Sequence, residues 1–245
     1  MSIKNYYLKK ALTWLLPYTC ILCGHPSQRN QDLCDPCHQT LPFLKQSCLH
    51  CAMPLPGSAK GLACGQCLQA TPPFDVTYAP YLYQAPITQL ILEIKFNQSL
   101  INARVLGELL ASAALESWYK TRPLPKVIIP IPLHSTRLKE RGFNQALEIA
   151  RPLARALKLP ISTEDCQRHK LTVPQSTLLA TERQQNMKGA FAVNRNFAGQ
   201  HIAVIDDVIT TGNTMTEFCK VLKQHGAQII DVWCCARAGG LFSGD

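Results

Sequence analysis

An α/β fold with a mostly parallel sheet, preceded by a small cysteine-rich module, is the class that this sequence predicts. Three observations lead to it. Eight of the 12 cysteines form four C-x-x-C pairs, all within residues 20–67. Beyond Pro72-Pro73, short apolar runs alternate with stretches of helical periodicity, as in parallel strands joined by helices. Residues 201–216, HIAVIDDVITTGNTMT, read as a buried strand, two carboxylates at its carboxyl end, and a Gly/Thr-rich turn opening a helix.

The elements follow in chain order. The apolar patch at 11–16 is too short and interrupted for a signal peptide, and reads as an amphipathic helix packing on the main body. With 47% apolar residues and no run near the ~18 needed, no segment is expected to span a membrane, and a cytoplasmic location is expected. The knuckles Cys20/Cys23, Cys34/Cys37, Cys48/Cys51 and Cys64/Cys67 are separated by ten, ten and twelve residues. Each C-x-x-C offers two thiolates to one tetrahedral ion, so eight make two closed, structural zinc sites. The segment has few large apolar residues, and zinc would supply about 10–16 kcal/mol of folding free energy per site. A disulfide framework is the competing reading, but it needs an oxidising compartment. Sequential pairing of knuckles and an interleaved arrangement both fit the spacing. His38 and His50 sit beside cysteines and could substitute, although such neighbours more often face solvent. We therefore divide the chain into residues 1–71, an N-terminal helix and double zinc-ribbon module, and 72–245, the α/β domain.

Within that domain, 76–83 reads as a strand and 87–96 and 100–119 as helices. Residues 126–131 form a short buried strand closed by Pro132, and 143–157 a helix that Pro152 should kink or split. Residues 190–193 suggest a short strand, 201–205 the central strand, 214–225 a helix with Gly226 as its stop, and 228–235 a last strand. Cys166, Cys219, Cys234 and Cys235 are unpaired in pattern, and Cys234 and Cys235, in the last strand, are most simply small core residues. Ligands of such a fold bind outside the carboxyl ends of its strands.

Three segments meet that condition. In the turn Thr210-Thr211-Gly212-Asn213-Thr214, backbone N–H groups, hydroxyls and a helix dipole can converge on a phosphate, with Gly212 free to take positive φ. Asp206 and Asp207 suit a vicinal diol or a divalent cation. Phosphate, diol and metal together describe a ribose 5-phosphate. The second segment, 130–145, offers His134, Arg137, Lys139 and Arg141 in one short loop, and guanidinium forks match a pyrophosphate. The third, 168–191, is long and polar, with Gln175, Arg183 and Asn186, and suits a lid over a charged substrate. A dinucleotide fold would need G-x-G-x-x-G after the strand, and an ATP-type P-loop G-x-x-x-x-G-K-[ST]; neither is present. The net charge of +9 divides into +4 over residues 1–70, +5 over 71–160 and zero over 161–245, a bias suited to a polyanion such as a pyrophosphate or nucleic acid.

The 201–216 stretch closely resembles the signature of the type I phosphoribosyltransferases. The order of four knuckles, Tyr83, Lys95-Phe96, P-x-P-L-H, R-x-x-x-R-G-F-N-Q, Gln175…Arg183-x-x-Asn186…Gly189-Ala190-Phe191 and IDDVITTG resembles the ComF/GntX group over nearly the full chain. The resemblance implies a type I phosphoribosyltransferase fold behind a zinc ribbon, with a role in natural competence or in use of external DNA. It implies that Asp206 and Asp207 hold ribose hydroxyls and Mg²⁺, that Thr210, Thr211, Gly212, Asn213 and Thr214 hold the 5-phosphate, and that Arg137 and Arg141 hold the pyrophosphate of phosphoribosyl pyrophosphate. An enzyme would transfer the ribosyl group to a nitrogen nucleophile through an oxocarbenium-like transition state, with Asp206 and Asp207 as its catalytic pair. The alternative is a catalytically silent module that senses the metabolite or binds single-stranded DNA, with DNA-uptake proteins as further partners. Tyr78, Tyr81 and Tyr83 could stack bases, but no recognised single-strand motif accompanies them.

Overall fold

A computed structural model of the chain describes residues 17–57, 61–170 and 189–239. The helix expected around 11–16 lies outside them. Chain contacts form two compact units that divide between Pro42 and Phe43.

In the first unit, residues 17–42, the second knuckle opens a short helix, α1 (Asp35–Gln39), with Cys34 as its N-cap, Pro36 in its first turn and Cys37 within it. Leu33 is its fully buried apolar residue, and Asp32 accepts the Thr19 N–H at 3.1 Å.

The second unit holds the other two knuckles as well as the sheet. Helix α2 (Gly65–Gln69) has Cys64 as its N-cap and carries Cys67 of the last knuckle. The chain then runs β1 (Val76–Tyr78), β2 (Tyr81–Leu82), α3 (Ile87–Asn97), α4 (Leu100–Ala113), a π-turn (Ala114–Trp118) and β3 (Val127–Pro130). Next come α5 (Ser135–Arg141), α6 (Gln145–Leu157), β4 (Cys166–Arg168), β5 (Phe191–Val193), β6 (His201–Ile209), α7 (Asn213–Gln224) and β7 (Ile229–Arg237). The main sheet has the order β1-β7-β6-β3, with β2 also on β7, and every pairing is parallel. Strands β4 and β5 form a separate antiparallel ribbon. This is the expected architecture. Thus Phe43–Cys67, which composition groups with the first knuckles, packs with the sheet: Leu44 N–H bonds the Pro80 carbonyl at 2.8 Å.

Local chemistry explains the elements. Ile87, Leu90, Ile91 and Ile94 repeat at helical spacing and are buried on one face of α3. Ser99 caps α4, and buried Asn102 donates to Glu93 Oε2 at 2.7 Å, joining the two helices. Helix α6 continues through Pro152 and is not split there. The helix α4 packs against it at Gly107, where a Cβ would stand 2.3 Å from the Ile149 carbonyl oxygen and 2.5 Å from Pro152 Cγ. Strands β6 and β7 are longer than the sequence suggests, because β6 continues through the acidic pair to Ile209 and β7 reaches Arg237. At the amino ends of the strands, buried Asp231 accepts hydrogen bonds from Tyr119, Arg122 and His201, a charge network closed on itself.

Candidate functional site

The parallel strands have their carboxyl ends on one side of the sheet, Ile209 level with Arg237 and Pro130 level with Ile205, and the predicted ligand-binding segments follow β3 and β6 there. Asp206 and Asp207 are consecutive near the carboxyl end of β6. Asp207 is buried and forms an ion pair with Lys95 of α3, Nζ to Oδ2 at 2.9 Å. Burial works against the Lys95 charge, but Asp207, with Asp206 behind it, outweighs that and holds the ammonium above its ordinary range. Asp206 keeps some exposed surface yet is densely surrounded. Burial, then the neighbouring Asp207 charge, raises it to about 7, and the Lys95 ammonium opposes both. The Asp207 N–H donates to Asp206 Oδ1 at 2.8 Å.

After Ile209, Thr210 and Thr211 are exposed, and Gly212 takes φ +80° and ψ −2°, the positive φ that the sequence suggested. Asn213 and Thr214 form the first turn of α7. This helix starts without a side-chain cap, as α1, α2 and α3 do, whereas α4, α5 and α6 are capped by Ser99, His134 and Asn144.

The basic segment after β3 is a helix, α5, not the loop that the sequence suggested. The His134 imidazole makes that possible: the Thr136 N–H donates to its Nδ1 at 3.2 Å, and its Nε2 bonds the His169 carbonyl at 3.0 Å. An accepting Nδ1 assigns the hydrogen to Nε2, which then donates. Helical spacing places Arg137 and Arg141 on one face of α5. Arg137 bonds Glu140 at 3.1 Å, and no contact joins either arginine to the Thr210–Thr214 turn among the described residues. Gly142, at φ +79°, ends α5. Asn144 then caps α6 and donates to the Ile131 carbonyl at 2.9 Å, so much of R-G-F-N-Q shapes the chain. Gln145 is buried, with no hydrogen-bond partner for its Nε2 among the described residues.

A cavity of about 660 Å³ opens between these helices and the β4 end, lined by His134, Asn144, Arg151, Cys166, Arg168 and His169 among others. The Arg168 guanidinium lies 5.5 Å from the Phe191 ring centroid. Burial lowers its pKa, Arg137 adds to that, and Asp206 opposes it, which sets Arg168 electrostatically between the acidic pair and α5. Lys95 and Arg168 are the site residues that received no role from sequence. The only signal was their place in the family pattern and at the edge of the lid segment. Gln175, Arg183 and Asn186 lie outside the described residues.

The cysteines group sequentially: Cys20, Cys23, Cys34 and Cys37 in one cluster, and Cys48, Cys51, Cys64 and Cys67 in the other, each with its sulfurs within 4.8 Å of one another. This settles the pairing left open by the spacing. The Cys23–Cys34 and Cys51–Cys64 sulfurs stand 3.7 and 3.6 Å apart. A disulfide needs about 2.05 Å, whereas a tetrahedral four-thiolate zinc site, with bonds of about 2.3 Å, needs about 3.8 Å between sulfurs. Burial raises the Cys20 and Cys48 thiols, but converging backbone N–H donors outweigh it and lower both to about 6, readying them as thiolate ligands. His38 and His50 join neither cluster. No helix among the described residues is long and apolar enough to cross a membrane.

The fold and its clusters define a phosphoribosyltransferase-type α/β protein with a double zinc ribbon. Residues 11–68 match the double zinc ribbon domain and residues 141–240 the phosphoribosyl transferase domain. DNA utilization protein YhgH of Escherichia coli (strain K12) is 34% identical over 224 residues, covering 91% of this chain and 98% of that protein. Competence protein F of Haemophilus influenzae (strain ATCC 51907 / DSM 11121 / KW20 / Rd) is 36% identical over 226 residues, covering 90% and 97%. A solved purine phosphoribosyltransferase from Pyrococcus horikoshii Ot3 is 19% identical, with a TM-score of 0.35 over 55% of this chain and 73% of its own. The chain belongs to the ComF/GntX family.

Proposed function

We propose that the chain binds phosphoribosyl pyrophosphate with Mg²⁺ at the carboxyl ends of β3 and β6, and that it serves natural competence or the use of external DNA. One observation carries the binding reading: α7 opens uncapped on Gly212 at φ +80°, directly after two exposed threonines and close behind an acidic pair. Backbone N–H groups at a helix N-terminus suit a 5-phosphate. In this reading Asp206 and Asp207 accept hydrogen bonds from the ribose hydroxyls, and Lys95 fixes the Asp207 carboxylate in place. Arg137 and Arg141 share a face toward which a pyrophosphate could lie. Mg²⁺, held by the acidic pair, would offset charge on the pyrophosphate. The same contacts would stabilise an oxocarbenium-like ribosyl group as its bond to pyrophosphate breaks and a nitrogen acceptor takes its place. The names of the two relatives support the DNA-related role, with single-stranded DNA and DNA-uptake proteins as its partner classes. We keep 1–71 as the zinc-ribbon module and 72–245 as the phosphoribosyltransferase-type domain.

Calorimetry with phosphoribosyl pyrophosphate and Mg²⁺ tests the reading. The parent protein should bind, and Asp206→Ala/Asp207→Ala should weaken binding by at least about 100-fold. Absence of binding by the parent, or equal binding by the variant, refutes it. Pyrophosphate release on adding nitrogen acceptors then separates transfer from binding alone.

A further inference from the structure

Arg237, the last residue of β7, is only 2% exposed, and a guanidinium tolerates such burial when its donors are satisfied. Its Nη1 donates to the carbonyl oxygens of Ile209, at 3.0 Å, Thr210 and Ala238. It therefore grips the end of β6 and the first residue of the candidate phosphate turn. Its Nε donates to the carbonyl of Cys51 at 2.8 Å, and Cys51 belongs to the second cysteine cluster. No acidic side chain pairs with Arg237 among the described residues; its partners are backbone carbonyls.

Other contacts hold the two ends of this bridge in place. Cys51 packs against the main apolar core. Gly239 lies so near Met53 that a Cβ there would stand 2.8 Å from the Met53 sulfur. His50 Nδ1 donates to the Asp75 carbonyl at 3.1 Å, and the Asp75 carboxylate accepts the Ile230 N–H at 2.8 Å. All of these residues belong to the unit that contains the sheet.

We infer that Arg237 is a positioning residue that couples the conformation of the phosphate turn to metal occupancy of the Cys48/Cys51/Cys64/Cys67 cluster. The inference rests on the turn being the ribose-phosphate site proposed above. A planar guanidinium transmits position rigidly: with Nε held by Cys51, the direction of Nη1 is set, and with it the carbonyls of Ile209 and Thr210. Those carbonyls orient the peptide planes that lead to Thr211 and Gly212. A zinc ion closes the cluster and adds to the contacts that hold the Cys51 backbone; its loss loosens one end of the bridge. Coupling of this kind is reciprocal, so a ligand at the turn also stabilises metal in the second cluster.

The test uses the full zinc-loaded chain with ribose 5-phosphate as probe. Pulsed alkylation under a chelator, resolved by peptide mass spectrometry, reports metal loss at each cluster. Saturating ribose 5-phosphate should slow alkylation of Cys48, Cys51, Cys64 and Cys67 by at least about fivefold relative to Cys20, Cys23, Cys34 and Cys37. Arg237→Lys keeps the charge, but a single ammonium cannot span both sets of carbonyls. It should weaken ribose 5-phosphate binding by about tenfold or more and abolish the protection even at saturation. Binding by the parent without protection, or undiminished binding and protection in Arg237→Lys, overturns the coupling. If the parent does not bind ribose 5-phosphate at all, the phosphate reading fails first and the coupling with it. Should Arg237→Lys fail to fold, alkylation of the parent decides alone.

Discussion

Gly212 shows how a backbone angle can matter more than space. A Cβ added there would meet only Ile209 Cγ2, at 3.9 Å, so crowding does not exclude a side chain. The obstacle is φ +80°, which costs a β-branched residue roughly 1–3 kcal/mol. Gly212→Val should therefore move the turn, misaim its N–H groups and weaken ribose 5-phosphate binding by roughly two orders of magnitude. Gly212→Asn, a residue that enters the left-handed region more readily, should lose much less. Calorimetry on both variants, with circular dichroism to verify folding, makes the comparison; parent-like affinity in Gly212→Val would remove the turn from the phosphate site. The positive φ and the acidic step were legible because turn, carboxylates and helix are contiguous in sequence. Lys95 was not, because its partner Asp207 lies on another element, distant in sequence. Arg237 was hidden more deeply, as the end of an apolar run whose partners are carbonyl oxygens rather than side chains.

Elements were read well where periodicity dominates and poorly where a single residue decides. The long strands β6 and β7 and the long helices follow from their apolar spacing, whereas 76–83 is two strands, β1 and β2, and the short β4 carries no such signal. Residues 135–141 have no apolar stripe, and only the capping His134 and the terminating Gly142 reveal a helix there. Sequence alone marks Pro152 as a helix breaker, because it does not show the residue's neighbour. Its ring packs where Gly107 removes any side chain from α4, while α6 continues on both sides. That juxtaposition makes Gly107 the more sensitive position. Gly107→Ala would place a Cβ 2.3 Å from a backbone oxygen and 2.5 Å from a ring carbon, and neither can swing aside as a flexible chain end would. Separating the helices should destabilise the protein by about 1–3 kcal/mol. Urea unfolding at constant zinc load measures it, and a variant as stable as the parent would mean that α4 and α6 do not meet this closely.

For the whole molecule, covalent order and packing order diverge. Composition changes at Pro72-Pro73, but the compact units divide at Pro42 and Phe43, so the second cysteine cluster lies with the sheet. The spacing of the knuckles could not reveal this, because all four look alike locally. The consequence concerns metal removal. The parent should contain about two zinc ions per chain, and Cys37→Ser and Cys67→Ser should each reduce that to about one. The two losses differ in kind. Cys37 belongs to the 17–42 unit, where residues have little apolar core and depend on metal for their folding free energy. Cys67 belongs to the cluster whose Cys51 packs on the sheet core and receives the Arg237 hydrogen bond. Cys67→Ser should therefore lower the unfolding temperature of the unit that carries Trp233, which is fully buried beside the central strand, and near-ultraviolet circular dichroism should report the change. With only the second zinc lost and the Trp233 transition unmoved, the second cluster would be an appendage of the sheet and not a support for it.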